Sequence, residues 1–260
     1  MRPEDSAQPR AGVGWRAHAR ALYRRIQRIV TGLVWWERTY HEDGFATEHN
    51  CDFLQDERFR RAYELGRATG SFRGREIRWR VHVACWAAAH AAQLEGDFVE
   101  CGVYRGGLAR AIVDYVGFAD LSKAFYLFDT FEGIPEASIS QAERALGRQP
   151  GEYEECYAAV CETFRPFSNV HPIRGRVPEV LSQVEIERVA YLSLDMNVYQ
   201  PEIAAAEHFW PRMTSGGILL LDDYGFRRYV MQKHAFDAFA REKGVSVLAL
   251  PTGQGLLIKP

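Results

Sequence analysis

The stretch Phe98-Val-Glu-Cys-Gly-Val-Tyr-Arg-Gly-Gly107 decides the fold of this chain. An apolar run closing on Glu100 and Cys101 gives way to Gly102, Gly106 and Gly107, and then to a helical pattern over residues 107–116. Such a passage opens a βαβ unit, because glycine lets the backbone turn tightly and clears side chains where a strand or ligand nears the helix N-terminus. Working outward, short apolar runs alternate with helical stretches to the C-terminus. Strands are expected over 97–101, 125–129, 170–174, 189–195 and 217–222, and helices over 107–116, 153–164, 202–213 and 229–243. That alternation predicts an α/β fold around a mostly parallel sheet. Two closing runs, 245–250 and 255–259, flank Pro251, Thr252 and Gly253 and predict an antiparallel hairpin on the sheet edge.

Upstream of the strand, two helical patterns fill 56–96, the second running from Ile77 through Val81, Ala84, Cys85 and Ala88. Trp79, Trp86 and Trp210 fall at helical positions and are read as packing residues. Earlier still, Leu22, Ile26, Ile29, Val30 and Leu33 share one face of a basic helix from Trp15 to Trp36. Its apolar stripe predicts packing on the rest of the chain or across a homo-oligomer. Residues 1–14, rich in Pro, Gly and charge, read as a disordered leader. The expected organisation is therefore leader 1–14, helical extension 15–75 and main domain 76–260.

Composition narrows the function classes. With 260 residues and 47% hydrophobic side chains, the chain can bury a core without disulfides or structural metal. Lys and Arg number 32 against 34 Asp and Glu, which argues against affinity built on nucleic-acid phosphates. The five cysteines form no Cys-x-x-Cys pair, so reduced thiols and a cytoplasmic location are expected. No apolar run is long enough for an integral membrane span.

Acids end most of the expected strands. Asp129 closes the second, opposite the glycine loop, where it could accept hydrogen bonds from both hydroxyls of a ribose. No Gly-Lys-Ser/Thr follows the glycines, so triphosphate binding is excluded and a dinucleotide or S-adenosylmethionine remains. Asp195 and the pair Asp222-Asp223 should converge at the same edge, where three carboxylates repel one another unless a hard cation such as Mg2+, Mn2+ or Ca2+ sits among them. The plainer reading makes them helix caps and strand ends. Tyr229 and Lys233 have the Tyr-x-x-x-Lys spacing of short-chain dehydrogenases, which keeps an NAD(P)-dependent dehydrogenase as an alternative but leaves the acidic cluster unexplained. Ser193 lacks a Gly-x-Ser-x-Gly elbow, and the histidines form no His-Glu-x-x-His.

Four segments taken in order carry a family resemblance: residues 98–107, Tyr126-Leu-Phe-Asp-Thr-Phe-Glu-Gly-Ile-Pro135, Leu194-Asp-Met-Asn197 and Gly216-Gly-Ile-Leu-Leu-Leu-Asp-Asp-Tyr224. Together they resemble the macrocin O-methyltransferase family of class I S-adenosylmethionine enzymes. The resemblance implies a Rossmann-like, mostly parallel sheet of seven strands ending in an antiparallel hairpin, here behind an N-terminal helical extension. It implies an S-adenosyl-L-methionine-dependent O-methyltransferase acting on a small-molecule hydroxyl, first a sugar of a natural product or glycan. A non-catalytic nucleoside-binding module is the reading from another class. Glu100, Gly102, Arg105 and Gly106 would line the methionine end of the cofactor, Asp129 with Thr130 and Phe131 the ribose, and Gly175 to Val177 the adenine. Asp195, Asp222 and Asp223 would hold Mg2+ or Mn2+, and Asp195 or Asp223 would take the acceptor's proton. Asn197 stands where relatives often carry a second acid, still offering an oxygen but one charge fewer.

Overall fold

Period-two alternation sorts the strand Asp97–Cys101 onto two faces: Phe98 and Glu100 point one way, Val99 and Cys101 the other. All of these side chains are buried, as expected of a parallel strand covered on both sides. The computed structural model describes residues 38–260, with Leu22 of the preceding stretch. The expected leader and the helix from Trp15 to Trp36 otherwise lie outside the described residues. The chain divides into two compact units, residues 1–41 with 46–50, and residues 42–45 with 51–260. In the first, Thr39 N donates to Thr47 O at 3.1 Å.

Two short strands come first, β1 (Tyr40–Glu42) and β2 (Phe45–Thr47). The larger unit then runs α1 (Glu57–Ala68), α2 (Arg78–Ala91), β3 (Asp97–Cys101), α3 (Gly107–Val116), β4 (Phe125–Asp129), α4 (Gln141–Ala145), α5 (Tyr157–Phe164), β5 (Val170–Arg174), β6 (Val189–Leu194), α6 (Tyr199–Phe209), β7 (Met213–Leu221), α7 (Val230–Glu242), β8 (Leu248–Ala249) and β9 (Gly255–Ile258). The seven-stranded sheet has the order β5-β4-β3-β6-β7-β9-β8. β3 through β7 pair in parallel, while β9 pairs antiparallel with both β7 and β8. The expected Rossmann-like sheet and its closing hairpin are both present. Order reverses between β3 and β6, and ligands of such sheets bind at that switch point.

Local chemistry explains where elements depart from the sequence reading. Helix α5 begins at Tyr157 instead of 153, because Cys156 N donates to Phe131 O (2.9 Å) and so ties the preceding residues to the loop after β4. α4 was not anticipated; it is a single short helix held by a capping box, Ser140 Oγ accepting from Glu143 N and Glu143 reaching back to Ser140 N. α6 stops at Phe209, where Pro211 cannot extend an α-helix, and β7 starts at Met213, not at 217. Trp86 departs from its packing assignment: it is 52% exposed and stacks on His90, with centroids 6.1 Å apart.

Two apolar layers flank the sheet. Phe98, Phe125, Leu127, Tyr191, Ile218 and Leu220 meet the Ala-rich α2 and α3 side, whereas Val99, Phe128, Leu192, Leu194, Leu219 and Leu221 meet the α6 and α7 side. Helix α1 adds a third cluster, Phe59, Tyr63 and Phe72 packing on Val81, Cys85 and Ala111. α1 crosses α3 at two glycines, and a Cβ on Gly66 would lie 2.5 Å from Gly107 O and 3.1 Å from Ala111 Cβ. Gly107 thus serves helix–helix contact. Gly66→Ala should therefore force the helices apart and cost about 1–3 kcal/mol, read as a lower midpoint in guanidinium unfolding. A wild-type midpoint would show that the crossing yields freely.

Candidate active site

Ladder hydrogen bonds carry on past the ends of the parallel strands. Gly175 N donates to Asp129 O (2.9 Å), Gly102 N to Phe128 O (2.9 Å), Asp195 N to Cys101 O (2.9 Å) and Asp222 N to Leu194 O (3.1 Å). Residues far apart in sequence are thereby set along one edge. They open into a cavity of about 240 Å3 whose walls include Glu100, Gly102, Asp129, Thr130, Phe131, Gly175, Val177, Asp195, Asp222 and Asp223. Gly102 has φ +91°, and a Cβ there would stand 2.1 Å from Asp195 O, so the approach of the β3 and β6 ends demands glycine.

Two of the expected cofactor residues are not brought into the cavity. The Arg105 guanidinium turns to Glu154, donating from Nη2 at 2.7 Å and Nε at 3.0 Å. Gly106 has φ +76° at the start of α3, and a Cβ there would meet the Phe164 ring at 2.7 Å, so its place is one of packing.

Asp129 is spent largely on its own loop. Its Oδ2 accepts from Val103 N (2.6 Å) and Tyr104 N (2.7 Å), and its Oδ1 from Phe131 N (2.7 Å). A carboxylate offers about four lone-pair positions. Thr130 Oγ1 stands 3.3 Å from Oδ1 as a fourth, longer donor, so the loop itself engages the whole carboxylate. Its carboxylate acts as the clamp that closes the glycine loop on β4.

The acids of β6 and β7 do converge. Asp195, Asp222 and Asp223 each place a carboxylate oxygen within 4.8 Å of the others. Arg80 of α2 reaches into this group, with Nη1 2.6 Å from Asp222 Oδ2 and Nη2 2.6 Å from Asp43 Oδ2. Gln254 Nε2 donates to Asp222 Oδ1 at 3.2 Å. Burial alone would lower the Arg80 guanidinium, but the charges of Asp222 and Asp43 hold it well above its ordinary value. Asp223 is pushed up to about 8, by burial first and then by the charge of Asp222, against the pull of Arg80, Arg148 and Arg75. Asp195 is raised well above the carboxylate range by the same causes, and buried Glu202 likewise, although Glu202 Oε1 accepts from Met196 N at 3.0 Å. Glu100 is buried and raised well above its usual value by desolvation, and its Oε2 has no partner among the described residues. Asp223 Oδ2 is similarly unpartnered. A hard, oxygen-only donor set this close, with one buried oxygen unclaimed, fits a divalent cation; Arg80 is the positive charge already built in.

The profile of the macrocin-O-methyltransferase (TylF) family matches residues 37–248. The chain belongs to this family. A tetracenomycin-C rhamnosyl 4'-O-methyltransferase of Streptomyces olivaceus is 28% identical over 151 residues, 54% of this chain and 57% of that protein. A mycinamicin III 3''-O-methyltransferase of Micromonospora griseorubida is 26% identical over 54% of this chain and 59% of its own length. The chain thus matches a little over half the length of these curated relatives. Among solved structures, the O-methyltransferase NovP superposes with a TM-score of 0.58 at 20% identity, covering 69% of this chain and 79% of NovP. A calicheamicin methyltransferase reaches 0.57 at 17% identity, over 81% and 94%. These likenesses establish the fold.

Asn197, which the resemblance set apart as standing in for a second acid, has a defined place in the structure. Its φ is +64°, a conformation asparagine tolerates. Its Oδ1 accepts from Tyr229 OH at 2.8 Å, which uses one of that oxygen's two lone pairs. Tyr229 itself is pushed up to about 12, mainly by burial and then by Asp223. Lys233 Nζ donates instead to Tyr224 OH (3.0 Å) and Asp237 Oδ2 (2.7 Å). Tyr229 and Lys233 thus do not form the couple a dehydrogenase would need.

Arg80, Glu202 and Gln254 escaped the sequence reading. Arg80 left a trace: it stands three residues after Ile77 and one before Val81, on the stripe that the helical period assigns to the core.

Replacing that arginine should be severe. Arg80→Met leaves Asp43 and Asp222 without their cation and should destabilise the fold by about 3–5 kcal/mol, measured by guanidinium unfolding, with Arg80→Lys recovering part of the loss. Asp129→Ala strips the partner from three backbone N–H groups, at about 1–3 kcal/mol for each that stays dry. The unfolding midpoint of the ligand-free protein should therefore fall; an unchanged midpoint would mean that the loop holds without its clamp.

Proposed function

We propose that this chain transfers the methyl group of S-adenosyl-L-methionine to a hydroxyl of a sugar in a natural product, with a divalent cation, Mg2+ or Mn2+, assisting. The observation that carries this reading is the convergence of Asp195, Asp222 and Asp223 on the cavity that also holds the glycine loop and Glu100. The names of the relatives, sugar O-methyltransferases of antibiotic pathways, support the acceptor class. A nucleoside-binding module without turnover would have no need of three repelling carboxylates in its ligand cavity.

In this reading Glu100, Gly102, Thr130, Phe131, Gly175 and Val177 line the cofactor, and Asp129 holds the loop beneath it. Burial raises Glu100 well above the usual carboxylate range, and the positive charge of the methionine end beside it would draw it back toward the ionised form. Asp195, Asp222 and Asp223 would hold the cation, which when bound lowers the pKa of an acceptor hydroxyl. Asp195 or Asp223 takes the hydroxyl proton as the oxygen attacks the methyl carbon. The C–S bond breaks with its electron pair returning to sulfur, so the products are a methyl ether and neutral S-adenosylhomocysteine. Phe131, Tyr153 and Met196 in the cavity wall exclude water from the transfer line.

Among the described residues no helix is long and apolar enough to cross a membrane, and all five cysteines are free thiols. We extend the proposal to a reducing, cytoplasmic setting, a homo-oligomer and no nucleic-acid partner.

Parallel titrations of the purified protein with S-adenosylhomocysteine and NAD(H) should give binding only with the former. EDTA should abolish methyl transfer and Mg2+ restore it, and Asp223→Asn should lower turnover by about a hundredfold or more while S-adenosylhomocysteine affinity moves less than about threefold. A metal-free preparation working at the full rate would remove the cation from the mechanism.

A further inference from the structure

The turn between β8 and β9, which the sequence reads only as a hairpin connection, reaches the acid cluster. Leu221 of β7 pairs with Gly255 of β9, so the antiparallel ladder sets the next residues, Asp222 and Gln254, across from one another. The turn is pressed onto the chain that follows the acids: Gly225 N donates to Gly253 O at 2.6 Å, and a Cβ on Gly253 would lie 2.5 Å from the Phe226 ring. Gln254 is fully buried, and so is Thr252 but for 4% of its surface. A buried glutamine is costly unless its amide is satisfied. Here Thr252 Oγ1 donates to Gln254 Oε1 (3.0 Å) while accepting from Gln254 N (3.4 Å), and Gln254 Nε2 donates to Asp222 Oδ1 (3.2 Å). The hydroxyl proton selects the amide's orientation: with Oε1 turned to Thr252, the NH2 group faces the carboxylate.

Arg80 holds the other oxygen of Asp222, with Nη1 2.6 Å from Oδ2. A guanidinium left alone with a carboxylate favours a two-pronged grip on both oxygens. Gln254 opposes that turn by holding Oδ1, and, being neutral, it leaves the charge of Asp222 in place. Each oxygen keeps a lone pair, since a carboxylate offers about four such positions and two are used. Resting on the cation reading above, we propose that Gln254, set by Thr252, is a positioning residue that holds Asp222 in the orientation a divalent cation needs beside Asp195 and Asp223. Acids that ligate a cation are commonly fixed in this way by a hydrogen-bonded neighbour behind them. The C-terminal hairpin thus frames the acid cluster as well as closing the edge of the sheet.

The test titrates the full chain, loaded with S-adenosylhomocysteine, with Mn2+ and reads the free ion by electron paramagnetic resonance. Gln254→Met, which keeps the length of the side chain but loses both amide bonds, should weaken Mn2+ binding by about tenfold or more. Thr252→Val should weaken it by about threefold or more, and Thr252→Ser, which keeps the hydroxyl, should stay within about twofold of the unsubstituted chain. S-adenosylhomocysteine affinity should move less than about twofold in all three, since neither residue is among those that line the cavity. Unchanged Mn2+ affinity in Gln254→Met or Thr252→Val overturns the proposal. An equal loss in Thr252→Ser and Thr252→Val does so too, because the contact would then be one of packing. A parallel loss of S-adenosylhomocysteine affinity also overturns it, by tracing the effect to the fold at large. Should Gln254→Met fail to fold, the two Thr252 variants decide. Failure of the cation reading looks different: the unsubstituted chain itself would hold no Mn2+, which overturns both.

Discussion

At the point where β3 and β6 end, Gly102 and the Asp195–Met196 peptide lie so close that no Cβ fits between them. Everything in the cavity takes its place from this contact. Because Gly102 N is tied to Phe128 O and Asp195 N to Cys101 O, the strand ends form a stair in which each step fixes the next. Parallel register leaves no freedom to slide: a shift of one residue would turn Glu100 and Ser193 to the opposite face and bring Val99 and Leu192 to theirs. The glycine loop, the clamp acid and the acid cluster are therefore consequences of one register.

That geometry concentrates negative charge, and the protein answers it unevenly. Arg80 neutralises Asp222 and Asp43 from a helix whose other buried residues are Val81, Cys85 and four alanines, which lets the helix lie close on the sheet while one long side chain reaches the acids. Asp195, Asp223 and Glu202 receive no direct ion-pair partner among the described residues, and their affinity for protons rises accordingly. Such groups accept either a proton or a cation readily, and an active site profits from both. The apolar layers above and below the sheet make the contrast sharper, since they leave the carboxyl edge as the place where these charges meet solvent.

The strands and the hairpin were legible because each is a short apolar run bounded by glycine, proline or an acid, and the convergence of Asp195, Asp222 and Asp223 followed from parallel order alone. What was not legible has specific causes. Asp129 ends its strand as a cofactor-binding acid does, but the sequence cannot say that Val103, Tyr104 and Phe131 point their N–H groups at it. Arg105 and Gly106 sit inside the motif, yet a left-handed Tyr104 and the ring of Phe164 decide which way they face. The ends of α5 and α6 depend on a tertiary hydrogen bond to Phe131 and on one proline. Asn197 was identified as a lost acid, whereas its amide oxygen is engaged by Tyr229, thirty-two residues later in the chain.

Residues 70–80 illustrate how a weakly patterned segment can shape a site. A turn with Gly70 and Gly74 that leads into the first turn of α2, it delivers Phe72 to the α1–α3 contact, Arg73 and Arg75 to the cavity wall and, from the helix, Arg80 to the acid cluster. The sheet edge contributes acids, glycines and aromatic residues to the wall, and Arg176 is the cation it adds. The acids and glycines of the wall thus rest on the register-locked sheet, whereas Arg73 and Arg75 come from a loop that no ladder constrains. Loops tolerate substitution where strands do not. The residues between α1 and α2 can therefore vary while the stair of β4, β3, β6 and β7 stays as it is.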